Sequence, residues 1–203
     1  MDRVWHAPAG SSLLCSVLLA PPPREVAPQW VVIAAALAAS DALEGLGAPR
    51  PTLKWPNDVL YGERKVAGLL AEVVTGAAGA AQVVVGLGLN LTDVDPSFES
   101  ATTVLAATDV ALAPSTVLDA YLDALEGRRR QLEGLEGRGA LRQRYLDDLS
   151  TLGRDVRVEL AHGVVRGRAV GVDEDGALVI EDGDRRRVFA AGDVVHLRGE
   201  DHS

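Results

Sequence analysis

The sequence predicts an α+β protein: a mixed β-sheet with flanking helices, followed by a small SH3-like β-barrel. Three observations carry this. Near-continuous apolar runs of strand length sit beside a long alanine-rich stretch in the first half, and arginine- and glutamate-rich helical segments follow. After about Gly153 the pattern changes to short alternating strands separated by glycine and aspartate turns. With 203 residues, 47% of them hydrophobic, the chain can fill one ordinary core plus a small one, and the units are placed at 1–150 and 151–203.

In order, Ser12 to Leu19 predicts a buried strand stopped by Pro21-Pro22-Pro23, which cannot continue a ladder. A helix is expected from about Val26 to Gly45, with Trp30, Ile33, Leu37 and Leu43 on its apolar face and Gly45 and Gly47 as stop residues. Thr52 to Trp55 reads as a short strand broken by Pro56. Val59 to Tyr61, Gly62-Glu63 and Arg64 to Val74 then read as a hairpin, so that Lys54 and Lys65 fall at the ends or edges of neighbouring strands. Gly76 to Ala80 is a turn into a central strand, Gln82 to Asn90. Ser115 fits the N-cap of a helix reaching about Gly134, with Leu118, Tyr121, Leu122 and Leu125 on one face, and a second helix fits Ala140 to Leu149. Five short strands follow, with turns at Gly163, Asp173 to Gly176 and Asp182-Gly183-Asp184.

Composition narrows the function. A formal charge of −9 and a pI near 4.9 oppose nucleic-acid binding, and Arg128-Arg129-Arg130 and Arg185-Arg186-Arg187 are flanked by acids and read as solvated faces. Cys15, the single cysteine, has no partner for an intramolecular disulfide and cannot build a thiolate cluster with four scattered histidines; it reads as a buried strand residue. The longest apolar stretch, Trp30 to Ala39, is short of the roughly 20 residues a membrane span needs. No membrane contact and a cytoplasmic location are therefore expected.

Three short islands interrupt the apolar strands: Lys54-Trp55-Pro56-Asn57-Asp58, Lys65-Val66-Ala67-Gly68 and Gly86-Leu87-Gly88-Leu89-Asn90. Two lysines on sheet elements supply fixed positive charge, and glycines on the adjacent strand leave room for a ligand to reach the backbone, the combination a phosphorylated small molecule requires. Each island also has a plainer reading. Pro-Asn-Asp is ordinary turn chemistry, a lone strand lysine commonly pairs across an edge, here with Glu63, and Gly-x-Gly without a third glycine opening a helix is no dinucleotide fingerprint.

The order, wording and spacing of these islands resemble the catalytic domain of biotin protein ligases. Arg3-Val4-Trp5-His6-Ala7-Pro8-Ala9-Gly10 is similar to the segment after that family's glycine/arginine-rich adenylate loop, and the stretch from Gly153 to Arg198 is similar to its C-terminal barrel. The family's Ser/Thr-rich biotin segment, its glutamine-bearing strand and the Gly-Arg-Gly-Arg-type loop would all precede Met1, so Met1 is expected to be an internal methionine or the edge of a fragment.

The resemblance implies a class II aminoacyl-tRNA synthetase/biotin ligase-like core, shortened at its N-terminus, with ATP and biotin as substrates and magnesium accompanying ATP. It implies transfer of biotin to a lysine of a biotin carboxyl carrier protein of acetyl-CoA carboxylase or a related carboxylase, and it is compatible with a homodimer. It assigns Lys65 as the electrostatic catalyst that also touches biotin. Arg3, Trp5, Lys54, Asn57, Asp58 and Asn90 go to the adenylate, and Gly68, Leu70, Gly86 and Gly88 border biotin, with Trp55 a packing residue of the wall. No protein-supplied metal site is expected. The rivals are a non-catalytic fragment that binds biotin, adenylate or carrier and is active only with a complementing N-terminal part, and the related lipoate ligase branch, against which the wording of Lys54 to Asp58 argues.

Overall fold

The computed structural model describes residues 5, 7–75, 81–160 and 163–197. The expectations that rest on Arg3, on the Gly76 to Ala80 turn and on His162 lie outside these. The first half carries β1 (Ser12–Leu19), α1 (Gln29–Gly45), β2 (Thr52–Lys54), β3 (Asp58–Tyr61), β4 (Arg64–Thr75) and β5 (Ala81–Asn90). There follow α2 (Val104–Thr108), α3 (Pro114–Gln131) and α4 (Leu135–Asp148), and then β6 (Asp155–Leu160), β7 (Gly163–Val172), β8 (Leu178–Asp182), β9 (Arg185–Phe189) and β10 (Asp193–His196).

Two five-stranded sheets result, ordered β1-β5-β4-β3-β2 and β10-β6-β7-β8-β9. Their ladders among the described residues are antiparallel; parallel pairing is confined to two isolated bridges, Leu53 with Leu149 and Lys65 with Ala101, so the mixed character expected of the sheet rests on these alone. β2 and β4 are not neighbours, as had been expected: β3 runs between them and carries Asp58 into the space separating Lys54 from Lys65.

Helices cover one face of the first sheet. α1 is buried on nearly every side: Ile33, Leu37 and Leu43 are fully buried, Ala34, Ala35 and Ala38 keep the helix slim, and α3 packs beside it. The other face keeps Leu14, Leu18 and Leu70 exposed. In the second sheet Val156, Val158, Ala169, Leu178 and Ile180 turn inward and are buried, the alternation that a small barrel core needs.

Four local expectations are corrected. The helix expected from Val26 starts at Gln29 behind Pro28, and Val26 instead closes a turn onto Pro23. α3 begins at Pro114 behind Ala113, not at a Ser115 cap, because proline's fixed φ and missing N–H suit the first helical position; its buried face is Val117, Tyr121 and Leu125, while Leu122 points outward. α4 starts five residues before the expected Ala140, at Leu135, with Gly137 inside it, since a Cβ there would strike the Gln131 backbone. Cys15 lies in β1 only half-buried, and burial pushes its thiol pKa up. The arginine run of α3 is split: Arg128 is drawn onto Asp41 of α1 at 2.7 Å, whereas Arg129 and Arg130 pair with Glu126 on the surface. Among the described residues no helix is long and apolar enough to cross a membrane.

Candidate functional site

Strand register gathers the three islands. Leu14 pairs with Gly88, Gly88 with Gly68, Gly68 with Asp58, and Asp58 with Lys54, so one cross-strand row runs over all five strands of the first sheet. The next row holds Ser16, Gly86 and Leu70. Both rows lie on the face that the helices leave bare. Two adjacent glycines in the middle of a row remove the side chains that would normally stand there, and they create a groove floored by backbone.

Lys65 reaches this face through an irregularity. Val59 pairs with Ala67, but Leu60 pairs with Lys65, so β4 carries an extra residue at Val66. In a regular strand Lys65 would share a face with Ala67, which is fully buried toward the helices. The bulge reverses that parity and aims the lysine at the groove. Its Nζ lies 2.6 Å from Asp58 Oδ1, and a Cβ at Gly68 would stand 2.7 Å from that same Nζ. Backbone bonds to Ser100 and from Thr102, both 2.8 Å, fix the base of Lys65.

Asp58 Oδ2 is also 3.9 Å from Lys54 Nζ, so one carboxylate serves two ammonium groups. The three side chains are 18–31% exposed, partly desolvated yet open to an incoming ligand. The site therefore holds one cation in excess, and an anion would complete it. The alternative partner of Lys65, Glu63, is engaged elsewhere: it binds Arg154 at 2.7 Å and faces His196, and the Arg154 hydrogen bond holds its carboxyl below the usual range.

The amides behave differently from the lysines. Asn57 donates its side-chain N–H to the Leu69 carbonyl, and its backbone carbonyl accepts the Leu69 N–H at 3.0 Å, locking the turn onto β4. Asn90 is buried; its carboxamide donates to Thr102 O at 3.2 Å and faces the Ser12 hydroxyl at 3.4 Å. Both are spent on the protein backbone or on neighbouring side chains, so here they shape the site. Ser12 and Thr102 were not singled out from sequence. Only their spacing opposite Asn90 in the folded sheet identifies them.

Trp55 is completely buried, and its indole N–H donates to Gly176 O at 3.0 Å, in keeping with a wall residue. Trp5 lies in the groove itself. A Cβ at Gly88 would come within 2.5–2.8 Å of its ring, one at Gly68 within 3.1 Å, and Lys65 Nζ stands 5.5 Å from the ring centre, within cation–π range. Its indole nitrogen is buried without a partner among the described residues. The ring thus bridges the glycines assigned to biotin and the lysine assigned to both substrates. A separate hollow of about 520 Å³ lies between Pro21 to Pro23, α1 and α3, lined by Val31, Leu125 and Arg129 among others, and it shares no residue with the row.

Comparison with known proteins gives the family. The profile described as Biotin/lipoate A/B protein ligase family matches residues 1–90, and the one described as Biotin protein ligase C terminal domain matches residues 151–197. The biotin–[acetyl-CoA-carboxylase] ligase of Mycobacterium tuberculosis is 38% identical over 205 residues, covering 97% of this chain and 73% of that protein. The bifunctional ligase/repressor BirA of Bacillus spizizenii is 26% identical over 200 residues, and the chain spans 61% of its length. Among solved structures, the biotin protein ligase of Aquifex aeolicus in complex with biotin and ATP superimposes with a TM-score of 0.79 at 25% identity, covering 93% of this chain and 79% of that one.

Proposed function

This chain belongs to the biotin protein ligase family, and from that premise we propose that it activates biotin with ATP and transfers it to a lysine of a carrier protein of acetyl-CoA carboxylase. Residues 1–150 would supply the catalytic core and residues 151–203 the barrel.

In the first step a biotin carboxylate oxygen attacks the α-phosphorus of ATP; the bond to the β-phosphate bridging oxygen breaks and pyrophosphate leaves. Two anions must meet for this to happen. Lys65, fixed by the bulge and by Asp58, offers an ammonium to both carboxylate and α-phosphate, and at ~4 Å with an effective dielectric near 20 each such pair is worth about 4 kcal/mol gross. Lys54, at the far end of the row, is assigned to the nucleotide, with Asp58 holding both cations in register. In the second step the neutral amine of the carrier lysine attacks the acyl carbon, AMP leaves with the bonding pair, and the ammonium proton is lost to solvent. The same Lys65 charge stabilises the departing phosphate oxygen.

Gly68, Gly86 and Gly88 floor the groove and Leu70 borders it, a surface suited to a flat bicyclic ring and an aliphatic tail. Trp5 covers that floor, and a ligand entering the groove must displace or restack it. Magnesium would arrive complexed to ATP. Among the described residues no trio of His, Cys, Asp and Glu gathers to hold a metal, so no step is assigned to a protein-held ion.

The observation that carries the reading is the shared carboxylate beside two glycines: two cations, one counter-charge and a floor of bare backbone in one row. The test is to incubate the chain, and a version extended upstream, with ATP, magnesium, labelled biotin and an apo carrier domain. Label on the carrier lysine with equimolar AMP is expected. If neither version transfers label or binds biotin, the reading is wrong.

A further inference from the structure

One buried hydroxyl is shared by the sheet and the barrel. Thr151, fully buried at the junction, accepts the backbone N–H of Trp55 at 3.1 Å, and its Oγ1 lies 3.2 Å from Nε2 of His196 on β10. Trp55 immediately follows Lys54, the residue at the nucleotide end of the row. Lys54 itself ends β2, a three-residue strand at the sheet edge with a ladder partner on one side only. A strand so short gains little order from its own pairing. Its order must come from what lies on the other side.

We propose that Thr151 and His196 are positioning residues for the nucleotide half of the site: the Ser150–Thr151 junction, braced from the barrel by His196, holds Lys54 in place by hydrogen-bonding the chain on either side of it. The inference rests on the assignment of Lys54 to the nucleotide. Donor bookkeeping supports it. The Trp55 N–H occupies one lone pair of the Thr151 oxygen, and with the Glu63 carboxylate facing Nδ1 the imidazole proton belongs on that nitrogen, so that Nε2 accepts the Thr151 hydroxyl proton. Nδ1 lies 3.7 Å from Glu63 Oε2, and Glu63 is itself held by Arg154 at 2.7 Å. On the preceding residue, Ser150 donates both its N–H and its hydroxyl to Leu53 O at 2.8 Å. The Trp55 indole adds its bond to Gly176 O, and the Trp30 indole donates to Glu174 O at 2.7 Å in the same turn. Leu53 and Trp55 are thus bonded by the Ser150–Thr151 junction, and Lys54 between them is left with its side chain free to face Asp58.

None of these atoms touches Gly68, Gly86 or Gly88. Breaking the junction should therefore act on the nucleotide and spare biotin, a selectivity that general destabilisation would not produce. In Thr151→Val the Trp55 N–H is left buried with no acceptor, and we expect affinity for a non-hydrolysable ATP analogue to fall about tenfold, with biotin affinity changed by less than about twofold. Thr151→Ser restores the acceptor and should restore binding. His196→Phe keeps the ring volume while removing the hydroxyl's acceptor, and it should give a loss in the same direction if Thr151→Val folds poorly. Calorimetric titration with each ligand, together with amide exchange at Trp55, reads all of this. Faster exchange at Trp55 with unchanged nucleotide affinity in both variants would overturn the proposal, as would an equal loss of biotin and nucleotide. Failure of the unaltered chain to bind the nucleotide analogue at all would instead remove the assignment of Lys54, and the proposal with it.

Discussion

The two sheets have the same number of strands and nearly the same pairing, yet they treat charge and space in opposite ways. Across the outer face of the barrel, Asp155 pairs with Arg168, Arg168 with Glu181, and Glu181 with Arg186, acid and base in strict alternation. Across the first sheet, Lys54 and Lys65 share Asp58, and the next two positions are glycine. One row is complete; the other lacks a negative charge and two side chains. A row in which every acid faces a base and every position carries a side chain has little left to offer a ligand, whereas the deficit in the first row is the shape and sign of an acyl phosphate.

The strongest way to break this contrast is to remove the excess cation. Lys65→Ala should lower the rate of biotinyl-adenylate formation about a thousandfold, the equivalent of the roughly 4 kcal/mol attraction of a partly desolvated pair, while the melting temperature stays within a few degrees because the side chain is surface-accessible. Pyrophosphate release at saturating ATP measures it. A loss below about tenfold would mean that the row is not where the charge is needed.

Filling the groove tests the other half. Gly88→Ala introduces a methyl group where the Trp5 ring lies within 2.5–2.8 Å, and biotin affinity should drop about ten- to a hundredfold by titration. Gly86→Ala, whose nearest neighbour is the Leu70 carbonyl at 3.8 Å, should lose far less. In the barrel, a Cβ at Gly167 would overlap the Glu181 carbonyl, so Gly167→Ala should lower the melting temperature without a direct effect on the biotin groove. Equal behaviour of Gly88 and Gly86 would mean that the crowding by the Trp5 ring at Gly88 has no bearing on biotin.

How much of this was legible in the chain follows from the range of each interaction. The Gly86 and Gly88 pair, the Ser12 to Leu19 strand and the hairpin turn at Gly62 are local signals, and they appear as expected. The bulge at Val66 is not local: simple alternation from Ala67 would have pointed Lys65 into the helices, and only the pairing with β3 reverses it. Glu63 was a reasonable partner for Lys65 by proximity, but the barrel claims it through Arg154, ninety-one positions on. Thr151 and His196 carried no signal at all. A threonine and a lone histidine acquire meaning only once the barrel has folded against β2.

A smaller effect is expected from the shared counter-ion. Asp58→Asn removes the charge that aligns both lysines but adds no bulk, so turnover should fall about tenfold while the KM for ATP is no higher, since the cations are left unopposed. Steady-state kinetics over ATP concentration separates the two. A raised KM with unchanged turnover would make Asp58 a direct nucleotide contact, not a brace for the lysines.

The least effect belongs to the barrel's charges, with one exception whose sign is fixed by burial. Arg186→Ala breaks a surface pair at 3.0 Å and should cost no more than about 1 kcal/mol in urea denaturation. His196 is different. Burial, reinforced by the Lys54 and Arg154 cations and opposed by Glu63, lowers its pKa from the ordinary value of 6.5. In the unfolded chain it protonates first as pH falls, so the stability it contributes is fully present above about 6.5 and is lost as pH drops through that value toward the folded one. Urea midpoints should therefore decline between pH 7.5 and 5 more steeply for the unaltered chain than for His196→Phe, in which no proton is taken up at that position. Arg186→Ala should leave the slope alone. If the phenylalanine variant followed the same slope as the parent, the histidine at the junction would take up its proton as readily in the folded chain as in the unfolded one, and burial at the junction would not hold it neutral.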